Sequence, residues 1–287
     1  MKPAPFDYVA ARSVEEATAL LAEGGGAARL LAGGQSLVPL LNFRLIEPAR
    51  LIDITRLRAL DHVTETAHGL RIGALTRHRT IETSSILRRH LPIVAHAMTQ
   101  VGHLAIRNRG TAGGSLCHAD PAAEWPMLAL LLDARITALS REGRRAIAAR
   151  DFFRGPLSTA LAPAELVSEI EIPALPAGAV WGFEELARRA GDFALCAAGV
   201  VLAAQNGRCS AARIALAGVG GTPLRASAAE ALLLGETLGP GVIAAAADAA
   251  AAASDPPDDL HGSAAYRRHL AAVLTRRALA AAARDLA

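Results

Sequence analysis

The chain has 287 residues, of which 52% are hydrophobic and 20% charged, and its formal net charge is +3. This excludes a mainly disordered chain, and the length suits about two domains whose cores need no staple. A basic excess this small gives no ground for a nucleic-acid partner, and three scattered cysteines, Cys117, Cys196 and Cys209, exclude a four-thiolate cluster.

The N-terminal segment from Met1 to Asp7 lacks the apolar stretch of a secretory signal. Val242–Ala253 is too short and too Ala-rich to span a bilayer. A cytoplasmic protein without a transmembrane segment is therefore expected.

The first elements read as a β-α-β unit. Ser13 and Glu16 have capping-box spacing ahead of a helix face formed by Ala17, Leu20 and Leu21, and Gly24–Gly26 stops that helix. Ala27–Leu31 is a buried-strand candidate, Leu37–Leu41 a short helix with Pro39 in its first turn, and Leu51–Ile54 the next strand. Leu70–Ala74 then reads as a strand, Thr80–Met98 as helix broken near Pro92, and Pro121–Leu132 as a helix opening at the proline. Period-two alternation in Arg135–Leu139, Arg145–Ile147 and Leu166–Ile172 predicts half-solvated antiparallel strands. Asn206-Gly207 between Val200–Ala204 and Arg213–Ala217 predicts a hairpin. After Pro223 the chain is Ala-rich and helical, with interruptions at Gly239-Pro240 and Ser254–Asp259. The punctuation by Pro173, Pro176 and Gly178 divides the chain into units 1–55, 56–175 and 176–287.

Two glycine loops carry the chemistry: Ala32-Gly33-Gly34-Gln35-Ser36 and Thr111-Ala112-Gly113-Gly114-Ser115. Paired glycines allow close backbone approach, and successive amides in such a loop converge on an anion. A helix beginning at Leu37 would add its dipole. Each loop alone also fits a tight turn; as a pair they suit a diphosphate held from both sides. Neither has the spacing of a phosphate-binding P-loop or of a dinucleotide fingerprint.

The second loop lies within Arg107-Asn108-Arg109-Gly110 through Cys117-His118-Ala119-Asp120-Pro121-Ala122-Ala123-Glu124. Together with Ala32–Leu37, with Arg188-Arg189-Ala190-Gly191-Asp192-Phe193-Ala194, and with Tyr266–Leu270 and Arg276–Leu279, it resembles the FAD-binding medium subunits of the molybdenum hydroxylases, the carbon monoxide dehydrogenase and xanthine dehydrogenase group. The resemblance covers nearly the whole chain.

It implies an α+β fold: a two-subdomain FAD-binding fold of the vanillyl-alcohol-oxidase type, then a C-terminal domain of a three-stranded antiparallel sheet plus a helical bundle. It implies noncovalent FAD. Gly33, Gly34, Gln35 and Ser36 would face the diphosphate, with Ala32 opening the turn, Thr111, Gly113, Gly114 and Ser115 would close on it from the other side, and Leu37 and Ala112 complete the cofactor-binding segments. Glu124, helped by Asp120, would accept from the adenosine ribose; Leu161, Asp192 and Phe193 would line the flavin ring. Phe193 departs from the Tyr that relatives often carry, and Glu184 stands where xanthine-type relatives use a Lys.

No residue of this chain is assigned as catalytic or as a metal ligand; Cys117, His118 and Asp120 are too close on one loop for a metal site. The implied complex has a large subunit with the molybdenum cofactor and a small subunit with [2Fe-2S] clusters, assembled as a dimer of heterotrimers. The chain would take electrons from the clusters and deliver them to an external acceptor. The alternatives are a self-contained FAD oxidase and a non-catalytic nucleotide-binding module. Arg107 and Arg109 are left between phosphate contacts and solvated charges, Asp192 between flavin contact and turn residue, and Gly218–Gly221 reads as a structural turn.

Overall fold

A computed structural model describes residues 1–286. The first unit comprises β1 (Asp7–Ala10), α1 (Val14–Glu23), β2 (Ala28–Leu31), α2 (Leu37–Asn42) and β3 (Arg50–Asp53). Its three strands form a parallel sheet in the order β1-β3-β2, with Tyr8 opposite Leu51 and Leu30 opposite Ile52. Ser13 caps α1 by accepting from the Glu16 amide at 3.1 Å. The Glu16 carboxylate reaches back one residue further than the usual box, to the Arg12 amide at 2.7 Å. Ala17, Leu21, Ile52 and Ile54 close a small core beneath the sheet.

The second unit runs through β4 (Val63–Thr66), β5 (Gly69–Gly73), α3 (His78–Thr83), α4 (Ser85–His90), α5 (Pro92–Ala97), α6 (Leu104–Arg107), α7 (Ala112–His118), α8 (Glu124–Leu131), β6 (Arg135–Ser140), β7 (Gly143–Ala148), α9 (Ala149–Phe152), β8 (Phe153–Gly155), β9 (Ser158–Thr159) and β10 (Leu166–Pro173). Five strands form an antiparallel sheet, β4-β5-β10-β6-β7. The helix expected over Thr80–Met98 is divided twice. Pro92 opens α5, and Ser84 ends α3 and starts α4 by accepting from the Leu87 amide at 3.3 Å. The helix expected from Pro121 begins only at Glu124, because the Pro121 carbonyl accepts from Gly218 at 2.9 Å instead of opening a helical turn.

The C-terminal unit has β11 (Val180–Ala187), β12 (Ala194–Gln205), β13 (Arg208–Ala217), β14 (Leu224–Arg225), α10 (Ser227–Leu233), α11 (Pro240–Ala252) and α12 (Ala264–Arg284). Its sheet has four antiparallel strands, not the expected three. The added β14 is a two-residue strand between Pro223 and α10, too short to show alternation in the sequence. Asn206 and Gly207 both take left-handed backbone, with φ of 55° and 73°, as a two-residue hairpin turn requires.

Small residues let this sheet pack closely on both faces. A Cβ on Gly182 would lie 2.1 Å from the Ala278 carbonyl oxygen of α12, and one on Gly199 would lie 2.9 Å from Leu131 of α8. All eight residues of α8 are buried, as expected of a helix that is apolar on every side. The sheet thus sits between the second unit and its own helices, and the turn joining β11 to β12 packs against Gly102 and His103 of the second unit.

Candidate functional site

The first glycine loop links β2 to α2. Gly34 has φ of 75°, a left-handed conformation that turns the chain sharply out of the strand. The Gln35 side chain donates to the Gly33 carbonyl at 3.0 Å, and α2 starts with Val38 donating to Gly34 at 3.0 Å. Among the described residues, the backbone amides of Gly33, Gly34, Gln35 and Ser36 have no acceptor in the chain, and Ser36 makes no capping bond. Four consecutive amides with open hydrogens suit an anion.

The second loop is built differently: it is the start of α7 rather than a free loop. Thr111 is the N-cap, its hydroxyl accepting from Gly114 at 3.1 Å. Ala112 donates to Thr76, Gly113 to Ala74 and Ser115 to Thr111, at 3.1, 2.9 and 3.0 Å. A Cβ on Gly113 would lie 2.6 Å from the Ala74 side chain, so glycine lets α7 lie directly on the end of β5. The amides of Ala112–Ser115 therefore serve the fold. This loop offers a ligand its tight backbone surface and the Ser115 hydroxyl, which has no hydrogen bond among the described residues.

The loops meet. A Cβ on Gly33 would fall 2.2 Å from the Arg109 carbonyl oxygen and 2.9 Å from Gly110 Cα. Arg77 donates from its guanidinium to the same Arg109 carbonyl. Arg107 has a structural role: it pairs with Glu82 at 2.9 Å and donates to the Gly102 carbonyl at 2.8 Å, with both side chains largely buried. The Arg109 side chain is exposed and carries no ion pair among the described residues.

Beyond the C-terminal end of α7 lies a cavity of about 940 Å³ between the second and C-terminal units. Asp120 and Pro121 form one wall, Arg188, Asp192 and Phe193 another. The glycines of Gly218–Gly221, expected to be only a turn, line it as well. Phe193 is 61% exposed, and its ring borders this cavity. The turn that carries it is seated on the second unit: a Cβ on Gly191 would lie 2.8 Å from His103.

Segment Asp255–His261 borders the cavity and is held by Arg267. Arg267 is buried, donates to Asp259 and the Leu195 carbonyl at 2.7 Å, and reaches Gly218 at 3.3 Å. Sequence reasoning gave Arg267 no role here; its only signal was its place in the Tyr266–Leu270 segment. Leu161 follows β9 and packs, half-buried, against the second unit's core.

Glu124, the first residue of α8, is buried. Burial pushes its carboxyl pKa up, and the Asp120 charge adds to this. Glu185 on β11 is also raised, by burial and then by Glu124, and its Oε2 has no partner. Two carboxyl groups thus lie near each other beneath the cavity's lining, and neither borders the cavity itself. His118, expected beside the cofactor, ends α7; burial lowers its pKa against the opposing pull of Asp120.

Residues 4–175 match the family model of the FAD binding domain in molybdopterin dehydrogenase, and residues 181–282 that of the CO dehydrogenase flavoprotein C-terminal domain. The chain belongs to the FAD-binding medium subunits of the molybdenum hydroxylases. Similar medium-subunit relatives include the alpha subunit of the 6-hydroxypseudooxynicotine dehydrogenase complex of Paenarthrobacter nicotinovorans, 46% identical over 98% of this chain and 96% of the relative. The caffeine dehydrogenase beta subunit of Pseudomonas sp. strain CBB1 is 41% identical over 99% of this chain and 96% of that subunit. A chain of the carbon monoxide dehydrogenase of Hydrogenophaga pseudoflava superposes with a TM-score of 0.97 at 41% identity, covering 100% of both chains.

FAD is this family's cofactor, and the site fits it. The open amides at Gly33–Ser36 suit a diphosphate, and the exposed Phe193 ring faces a cavity large enough for a heteroaromatic group. As in other medium subunits, redox chemistry would come from the cofactor and its geometry from the chain.

Proposed function

We propose that this chain holds one noncovalent FAD and transfers electrons within a molybdenum hydroxylase complex. They arrive from a small subunit carrying [2Fe-2S] clusters and leave to an external acceptor. A large subunit holds the molybdenum cofactor and the substrate site. The complex is a dimer of heterotrimers in the cytoplasm. Bound FAD supplies the ability to accept electrons singly and release them in pairs.

The three units divide the work. Unit 1–55 supplies Ala32–Leu37, whose amides donate to the diphosphate. Unit 56–175 supplies Thr111–Ser115 as the opposing wall, with the Ser115 hydroxyl as a further donor. Glu124 accepts from the adenosine ribose, and Asp120 sets the local charge. Leu161 bounds the flavin. Unit 176–287 presents Asp192 and Phe193, whose ring lies against the isoalloxazine and excludes water from that face.

The observation that carries this reading is the run of four acceptor-free amides at Gly33–Ser36, packed against Arg109–Gly110. Its test is the visible spectrum of the purified full chain, followed by heat release and chromatography of the nucleotide. Near one FAD per chain is expected. A colourless chain that also fails to take up added FAD overturns it.

A further inference from the structure

His78 stands directly behind the meeting point of the two loops. It is the first residue of α3 and only 4% exposed. Neither Nδ1 nor Nε2 has a hydrogen-bond partner among the described residues. A Cβ on Gly110 would lie 2.9 Å from Nδ1 and 3.0 Å from Cε1. Gly110 also lies against Gly33, so imidazole, Gly110, Gly33 and the open amides form one continuous stack. The main chain ties the same parts together: the His78 amide donates to the Gly110 carbonyl at 3.0 Å, and Ala112 donates back to Thr76 at 3.1 Å.

An apolar ring would fill this space without the penalty of burying two polar nitrogens. The groups facing the imidazole do not supply a counter-charge. Arg77 and Arg107 are cations, and only the Thr111 backbone favours the charged ring. Burial first, opposed by the Thr111 backbone and aided by these cations, pushes the His78 pKa down to about 4, so the ring is neutral near pH 7, with one donor and one acceptor nitrogen.

We propose that His78 is a positioning residue for FAD: its imidazole backs Gly110 and, with a ring nitrogen toward the Thr111 backbone, fixes the Gly33–Ser36 amides at the height the diphosphate needs. This presupposes that the chain binds FAD as proposed. His78 touches no cofactor atom; it acts through Gly110 and Thr111. Its role is distinct from that of a packing residue because it depends on a nitrogen as well as on ring volume.

The test compares FAD affinity of the full chain, stripped and titrated, for wild type, His78→Phe and His78→Asn, alongside the Tm of each stripped protein. Phe keeps the ring and removes the nitrogens; Asn places an amide nitrogen near the Nδ1 position. We expect His78→Phe to raise the FAD Kd at least tenfold with a stripped-protein Tm close to wild type, and His78→Asn to recover most of that loss. Equal Kd values for wild type and His78→Phe overturn the proposal, as does a tenfold loss that Asn does not relieve. If His78→Phe does not fold, the wild-type chain labelled with 15N-histidine decides. A His78 ring-nitrogen signal that shifts on FAD saturation supports the role, and an unchanged signal overturns it. Wild type failing to bind FAD at all would instead remove the FAD reading.

Discussion

Gly33 lies against the carbonyl of Arg109, with room for a hydrogen and none for a methyl: a Cβ there would be 2.2 Å from that oxygen. The neighbouring atoms are backbone, so they cannot swing aside. Gly33→Ala is expected to displace the first loop and weaken FAD binding at least tenfold, read by absorbance titration. Gly241→Ala, where a Cβ meets nothing within 4 Å in α11, is the control. It should leave FAD binding unchanged and stabilise the chain by about 0.5–1 kcal/mol.

The two arginines of the Arg107–Arg109 segment separate in mutagenesis. Arg107→Ala leaves Glu82 buried without its cation and several carbonyls without a donor, so a loss of roughly 3 kcal/mol is expected in denaturant unfolding. Arg109→Ala removes an exposed side chain and should change stability by less than about 0.5 kcal/mol. It should also lower the salt dependence of FAD binding, since an exposed cation near a diphosphate is screened by ions. Equal stability losses for the two variants would contradict this division.

The Glu124–Glu185 neighbourhood makes stability depend on pH in a defined direction. Both carboxyls are raised above the ordinary range by burial. Between that range and the raised values the folded chain keeps a proton the unfolded chain has lost, so stability falls as pH rises through this window. Glu185→Gln removes the ionisation. We expect it to stabilise the FAD-free chain at pH 8 by an amount on the order of 1 kcal/mol, kept small because Glu185 is only half-buried, and to flatten the Tm profile. A variant profile as steep as wild type would place the titration elsewhere.

Arg267 anchors the Asp255–His261 segment to the rim of the cavity. Arg267→Ala should cost about 3 kcal/mol, because it strands buried carbonyls and one carboxylate. Asp259→Asn, at a 38% exposed side chain, should cost about 1 kcal/mol or less. Limited proteolysis would show cleavage within 255–261 in the first variant and not in the second.

Features governed by local chemistry were legible in the sequence. Ser13 and Glu16 announced the start of α1, Asn206-Gly207 the hairpin, and Gly33-Gly34 the sharp exit from β2. What long-range contacts decide was hidden. Thr111 caps a helix, but the two glycines at its second and third positions resemble a loop until Ala74 is seen packed against Gly113. Gly218–Gly221 looked like a plain turn because the cavity it borders is closed by Asp120 and Phe193, remote in sequence. The pairing of Glu124 with Glu185 and the isolation of His78 likewise follow from tertiary packing, which residue spacing does not encode.

The unequal wiring of the two loops has a practical outcome for handling the empty protein. One wall is rigid before any cofactor arrives, because Thr76, Ala74 and Thr111 already hold its amides. The other displays four unanswered donors, and small oxyanions compete for such donors. Phosphate or sulfate buffers should therefore slow reconstitution in proportion to their concentration, whereas a chloride buffer of matched ionic strength should not, and a chain prepared in phosphate would look artificially deficient in flavin.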